Sequence, residues 1–257
     1  MLAVVSPAKK LDFENAAPEM VVSQPVFLED AGELVKVARQ KTRRDLMNLM
    51  GISETLADLN HQRFQAFSIP FDRHNAKPAV YAFRGDTYVG LDADTMNPDD
   101  LDWAENHFRM LSGLYGLLRP RDLMQPYRLE MGTRLANLRG KDLYAFWGEK
   151  IAGEINRITG NHKDRTLVNL ASGEYFKSVK TGILAEPVLT PVFKEIKGNT
   201  AKVIGFSAKR ARGMMARFMI DNRIENPQDL KDFNRDGYTY RDDLSRDNEW
   251  VFTRKHD

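Results

Sequence analysis

Residues 201–218 read AKVIGFSAKRARGMMARF, an apolar run that feeds without a break into a basic segment with helical spacing. At about 100° per residue, Ala211, Met214, Met215, Phe218 and Met219 fall on one side, the pattern of an amphipathic helix buried along that stripe. Lys209, Arg210, Arg212 and Arg217 ring the other side around Gly213 and Ala216, which would let a partner approach the helix backbone. Ser207 is placed to cap the helix by accepting a first-turn N–H. An anion at this positive helix end would offset the unfavourable placement of Lys209 and Arg210, about 0.3 to 1 kcal/mol each. Three readings of the basic face stand at this point: a solvated surface, a nucleic-acid groove, or one wall of a small-anion site.

Immediately upstream, VLTPVFKEI, the turn KGNT and AKVIGF form a β-hairpin, so the quoted stretch carries a strand-to-helix junction. LAVVS (2–6), AVYAF (79–83) and TLVNLAS (166–172) read as further buried strands, and GYTYR with EWVFTR as a closing hairpin. Helices are predicted over 30–48 with a break near Thr42, from Ser53 onward, over 99–108, and as one long amphipathic helix over 141–158. Glycines 113, 116 and 132, with Pro120 and Pro126, cut 109–135 into strands and turns. Strands and helices alternate throughout, with no linker and no repeat. The expectation is therefore an α/β (mixed α+β) fold: one compact domain over 1–257, with a central mixed sheet and surrounding helices.

Apolar residues make up 42% of the 257, ample for a core. The start, MLAVVSPAKK, is too short in apolar residues for a signal peptide, and no run approaches a membrane span, so a cytoplasmic protein is expected. The absence of cysteine excludes disulfides, thiolate metal sites and cysteine redox chemistry. Histidines at 61, 74, 107, 162 and 256 lack ligand spacing. Asp92 and Asp94 read as an acidic loop, with a hard-cation site as the alternative. No metal, no cofactor and no obligate protein partner is expected. The net charge of +2 hides segregation: KVARQKTRR (36–44) carries five bases and no acid, whereas DADTMNPDDLDWAE (92–105) carries six acids and no base. Local patches, not a global field, must carry any nucleic-acid binding.

Four polar clusters follow apolar runs: SPAKK, RGDTY, ASGEYFK and SAKRAR. Loops at strand ends converge on one crevice in open sheets, so these clusters suggest a shared site. Lys9, Lys10, Arg84, Lys177, Lys209, Arg210 and Arg212 would make it positive, with Asp86 and Glu174 orienting the bases or moving protons. Between the clusters, Arg128 and Glu130 share a strand face and read equally as an ion pair or as site residues. Tyr115 and Tyr175 complete the candidates for proton transfer, with Asp86, Glu130 and Glu174. In LMGISETLA (49–57), Gly51 permits a tight turn between two helices and Ser53 starts the second. The pair, within about 34–62, is like the helix-hairpin-helix element that grips DNA backbone; a plain helix corner is the other reading.

The segments SPAKKLDF, FRGDTYVGL, RMLSGLYGLLRPRDLMQPYRLEMG, NLASGEYFKSV and FSAKRARGMMARF, with the closing hairpin, resemble those of the bacterial peroxide-stress resistance family YaaA, from Met1 to about Phe252. The resemblance implies a cytosolic protein that limits peroxide damage and is associated with lowered free iron. It also implies a helix-hairpin-helix element, carried here by Leu49 to Ala57, and a basic cleft for double-stranded DNA drawing on Lys9, Lys10, Lys209, Arg210 and Arg212. No reaction follows from it. The sequence is read first as a DNA-binding stress protein, and alternatively as an enzyme acting on a phosphorylated or nucleotide-like anion in the same basic pocket.

Overall fold

A computed structural model describes residues 1–198 and 200–255; Asn199 of the KGNT turn and His256 lie outside the described residues. The fold is α/β, built on a mixed sheet of eight strands. In chain order these are β1 (Leu2–Val5), β2 (Phe108–Ser112), β3 (Gly116–Leu118), β4 (Leu167–Leu170), β5 (Val188–Lys197), β6 (Thr200–Lys202), β7 (Thr239–Arg246) and β8 (Glu249–Lys255). Their spatial order is β7-β8-β5-β4-β1-β2-β3, with β6 also paired to β5. The inner five run parallel, and β3, β6 and β7 are antiparallel additions. β1 is buried along its whole length and sits between β2 and β4, Ala3 pairing with both Phe108 and Val168. Its unbroken apolar run follows from that position, since a central parallel strand is covered on both faces.

Helices α1 (Leu28–Arg39), α2 (Arg43–Met50) and α3 (Glu54–Ala66) confirm the break near Thr42. Thr42 and Asp45 form a reciprocal capping box, Gly51 takes the left-handed conformation at φ 60°, and the Ser53 hydroxyl accepts from the Leu56 N–H. The expected strand AVYAF is instead a single helical turn, α4 (Ala79–Ala82), after which Phe83 and Arg84 pair antiparallel with Leu11 and Lys10. A short, fully buried apolar run has the same composition in either state, and here the Ala79 and Val80 amides find carbonyls of Asp122 and Pro120 in a loop rather than in a sheet. Helices α5 (Asp86–Leu91) and α6 (Pro98–His107) follow. The long helix expected over 141–158 is two, α7 (Leu143–Trp147) and α8 (Lys150–Thr159), parted at Gly148 with φ 49°. Last come the short α9 (Gly173–Phe176) and α10 (Gly205–Asp221).

α10 buries Ala211, Met214, Met215 and Met219 as its spacing predicts, but two expectations about it fail. Its N-cap is Ile204, which makes no side-chain cap; Ser207 lies inside the first turn, buried, with its hydroxyl accepting a long bond from Arg254 (3.4 Å). The strand before it ends at Lys202, and the helix starts at Gly205, three residues earlier than a Ser207 cap would allow. Gly213 and Ala216 are also buried, Gly213 directly against α5. A Cβ on Gly213 would stand 1.8 Å from the Thr87 carbonyl oxygen, and one on Gly90 2.1 Å from that of Arg210. The close approach these small residues permit is therefore taken up by another helix of the same chain.

Candidate functional site: a basic cavity at the sheet's switch point

From β1 the chain moves to β2 on one side and then returns to β4 on the other, so the strand order reverses at the β1/β4 boundary. Loops leaving the carboxyl ends of two such strands diverge and leave a crevice. Here the loop after β1 and the loop after β4 are tied at its floor. The Ser172 N–H donates to the Ser6 hydroxyl (2.9 Å), Ser6 donates to the Ser172 hydroxyl (3.3 Å), and the Tyr88 phenol donates to the Ser6 carbonyl (3.1 Å). Above lies a cavity of about 460 Å³, within the usual range for small-molecule sites.

Six cationic side chains line it, Lys9, Lys10, Arg84, Arg128, Lys209 and Arg212, against three acidic ones, Asp86, Glu130 and Glu174. Glu130 is shared by Lys9 (2.8 Å) and Arg128 (3.1 Å), which makes the ion pair expected of Arg128 and Glu130 also part of the wall. Glu174 accepts the Gly132 N–H (2.9 Å). Arg84 is held from behind by Asp12 (3.3 Å) and Asp94 (3.0 Å). Asp12 in turn lies near the buried Lys77 ammonium, which donates to the Asp12 and Asn15 carbonyls, 2.9 Å each. Hydrogen bonds from Asn15, reinforced by Lys77 and Arg84, hold the Asp12 carboxyl well below the usual carboxylate range.

Arg212 differs from these. It is half-buried and has no carboxylate or hydrogen-bond partner among the described residues, and burial alone pushes its pKa down. A guanidinium partly stripped of water and left without a counter-charge is a strong receptor for a planar or tetrahedral oxyanion. Among the described residues, Lys10 and Lys209 are exposed and likewise unpaired, and the Nε of Arg128 is buried without a partner. Tyrosines 88, 127 and 175 supply the aromatic part of the wall. Burial pushes the Tyr175 phenol up, aided by Tyr127, Glu174 and Glu130, and the Tyr127 phenol is raised by burial too. Both stay neutral near neutral pH, able to donate a hydrogen bond but too weakly acidic to give up the proton readily. Asp86, exposed and without an ion-pair partner among the described residues, is a cavity carboxylate free to accept one.

Ten of the fifteen candidate residues thus meet in one cavity, Lys9, Lys10, Arg84, Asp86, Arg128, Glu130, Glu174, Tyr175, Lys209 and Arg212. Five do not. Tyr115 is wholly buried, its phenol donating to the Gln125 carbonyl (3.1 Å) and accepting from the Gln125 N–H (3.0 Å), so it is a packing residue and not a proton donor. Lys177 lies over the Tyr144 ring at 4.8 Å beside a different, shallow hollow. Arg210 points to the far side of the α5–α10 contact, near Arg217 and Arg235. Gly51 and Ser53 form the turn between α2 and α3, outside the cavity lining. Tyr127 and Ser172 are lining residues not anticipated; each sits beside a charged candidate, and adjacency in a converging loop was the available signal. Asp94 is spent on Arg84, and Asp92 accepts from Thr95 (3.1 Å). Among the described residues no three His, Asp or Glu side chains group as metal ligands.

Fold and cavity together define an α/β protein with a predominantly basic pocket at its switch point. Comparison with known proteins gives that class its family. Residues 1–244 match the family model described as peroxide stress protein YaaA. The chain is similar to a UPF0246 protein of Magnetococcus marinus, 55% identical over 254 residues and 99% of both chains. It is also similar to UPF0246 proteins of Paraburkholderia phytofirmans (53% over 257 residues, 99% of both chains) and Teredinibacter turnerae (50% over 255 residues, 99% of this chain and 100% of the other). The chain belongs to the peroxide stress protein YaaA family. No helix among the described residues is long and apolar enough to cross a membrane.

Proposed function

We propose that this peroxide-stress protein works through the switch-point cavity, which binds a phosphate-bearing anion of nucleotide size. The observation that carries the reading is Arg212, a partly desolvated guanidinium with no partner of its own facing a cavity where cations outnumber acids. Lys209 and Lys10 add charge at the rim, the tyrosines offer a surface for a ring, and Asp86 is set to accept a proton while Tyr175 donates a hydrogen bond to the bound anion. Titration calorimetry with 5′-mononucleotides and inorganic phosphate tests it. Arg212→Ala should weaken binding about 10- to 150-fold, the scale of a charge-assisted hydrogen-bond set, with Arg212→Lys between. Wild-type protein that binds neither phosphate nor any mononucleotide, or an Arg212→Ala variant that binds as well as wild type, would overturn it.

Duplex DNA is the second reading, by which the protein would limit peroxide damage linked to free iron. The observation favouring it is that cations with no carboxylate partner among the described residues are exposed both on the cavity wall, Lys10 and Lys209, and outside it, Arg210. The α2–α3 turn adds backbone amides at the start of α3, although Arg43 of α2 is engaged by Asp58 (2.6 Å). Gly213 and Ala216 are not available to DNA, being buried, the glycine directly under α5. Duplex affinity should fall steeply with salt, with a log–log slope near the number of phosphates neutralised. An affinity unchanged between low and moderate salt excludes this mode.

A further inference from the structure

On the far side of the α5–α10 contact from the cavity, a second hollow of about 270 Å³ is lined by three arginines, Arg210 and Arg217 of α10 and Arg235 of the turn before β7, with Asp92 as its acid. Arg217 is spent on structure: its Nε donates to Asp221 (2.6 Å), and its Nη1 donates to the Asp92 carbonyl and the Thr95 hydroxyl, 2.7 Å each. Arg235 shares the same carboxylate, its Nη2 donating to the other Asp221 oxygen (2.5 Å) while its guanidinium lies 5.8 Å from the Phe218 ring centroid. One carboxylate thus serves two guanidinium groups. Asp92 accepts from the Thr95 hydroxyl (3.1 Å) and makes no ion pair among the described residues. Arg210 is exposed, and among the described residues its guanidinium has no carboxylate or hydrogen-bond partner.

Like charges gathered around one small hollow repel one another, and an anion seated among them turns that repulsion into attraction. We propose that this hollow is a second ligand site, which binds a small tetrahedral oxyanion of the size of phosphate or sulfate between Arg210 and Arg235. A guanidinium offers paired N–H donors in a plane, the geometry that meets two oxygens of such an ion at once. Arg217, fixed by its own bonds, forms the wall; Arg210 and the side of Arg235 turned from Asp221 supply the donors. No residue of the hollow lines the cavity, so the inference stands apart from whatever the cavity binds. The two sites nevertheless share their supports. α5 gives Thr87 and Tyr88 to the cavity and Val89 and Gly90 to the hollow, while α10 gives Lys209 and Arg212 to one and Arg210 and Met214 to the other. An ion bridging Arg210 to Arg235 would tie α10 to the turn before β7, and so steady the helix that carries two of the cavity's cations.

The test uses the whole chain, with inorganic phosphate, inorganic sulfate and glycerol 3-phosphate as probes and sodium chloride at matched ionic strength as the control. Arginine Nε–Hε correlations in NMR, assigned by substitution, read each guanidinium separately. Phosphate up to about 50 mM should shift Arg210 and Arg235 along one saturating curve with a dissociation constant on the order of a millimolar, and chloride should not. Arg210→Ala, at an exposed residue with no partner to lose, should unfold like wild type and weaken the curve read at Arg235 about 10-fold; Arg210→Glu should abolish it. Arg212→Ala, which alters the cavity, should leave the curve within about twofold. Glycerol 3-phosphate binding at least as tightly as the free ions would assign the ligand as a phosphomonoester, and weaker binding would assign it as the free ion. Shifts that chloride reproduces, or a curve at Arg235 indifferent to Arg210→Ala, overturn the inference. A curve lost in Arg212→Ala and kept in Arg210→Ala would place all phosphate binding in the cavity and overturn it too. Absence of any Arg212-dependent binding, with the Arg210 curve intact, supports this site and counts against the cavity reading alone.

Discussion

Gly213→Ala tests whether the α5–α10 contact sets the shape of the cavity. The added Cβ would stand 1.8 Å from the Thr87 carbonyl oxygen and 2.8 Å from the Leu91 nitrogen. An ordinary carbon–oxygen contact is roughly 3.3 Å, so the helices must part by about 1.5 Å. The obstacle is backbone and cannot rotate away, which places the cost at or above the upper end of the about 1–3 kcal/mol typical of overpacking. Alanine's better helix propensity returns about 1 kcal/mol. The net loss is about 2 kcal/mol, or about 4–8 °C in Tm for a chain of this size. Opening the helices also carries Thr87 and Tyr88 away from Lys209 and Arg212, so phosphate or mononucleotide affinity should fall with stability, although Gly213 does not line the cavity. Gly153→Ala is the control: it lies exposed in α8 with nothing within 4 Å of its would-be Cβ, and should stabilise by up to about 1 kcal/mol. Denaturant titration and calorimetry read both variants. A Gly213→Ala protein as stable as wild type, with unchanged affinity, would refute the claim that the glycine contact positions the cavity walls.

Glu130→Gln removes the carboxylate that competes with a bound anion for Lys9 and Arg128; affinity for inorganic phosphate should rise about fivefold, the effect of roughly 1 kcal/mol of screened repulsion. Lys77→Met takes the donor from the Asp12 and Asn15 carbonyls and should cost about 1–3 kcal/mol in urea unfolding while loosening the loop that bears Lys9 and Lys10. His162 is pushed down to about 4 by burial, then by the Met1 ammonium, whose N–H meets its Nδ1 at 3.1 Å, and by His107 stacked at 4.6 Å. A folded pKa below the unfolded value means that the unfolded chain takes up the proton first. The contribution is thus complete above about pH 6.5 and is lost as pH falls toward 4. The group is partly exposed, so the loss is about 1 kcal/mol after screening, and His162→Gln should flatten the urea midpoint across that window.

Much of this molecule is legible from pattern. β1, β4, the closing hairpin, the Thr42 break and the Gly51 turn follow from run length, capping chemistry and a left-handed glycine, all local properties. Where the outcome depends on distant partners, local reading fails. AVYAF is helical because its amides meet the Pro120–Asp122 loop, and Gly213 faces α5 rather than solvent because Gly90 presents the matching gap. The site shows the same division. Convergence of the charged loops was readable, yet which cations are spent and which are free was not. Arg84 and Arg212 look alike in sequence, and only packing shows Asp12 and Asp94 behind the first and no acid paired with the second among the described residues.

The central place of β1 also bears on how the chain reaches its fold. Leu2–Val5 is emitted early from the ribosome but pairs with Phe108–Ser112 and with Leu167–Leu170, so its last edge stays open until most of the polypeptide exists. Contacts that distant in sequence are slow to form, and an uncovered apolar strand is a hazard while they do. The same wait applies to function: the floor of the cavity, Ser6 against Ser172, cannot close before β4 docks. Nascent chains arrested before residue 167 should therefore engage holdase chaperones, and ligand-binding competence should appear together with β4 rather than gradually along the chain.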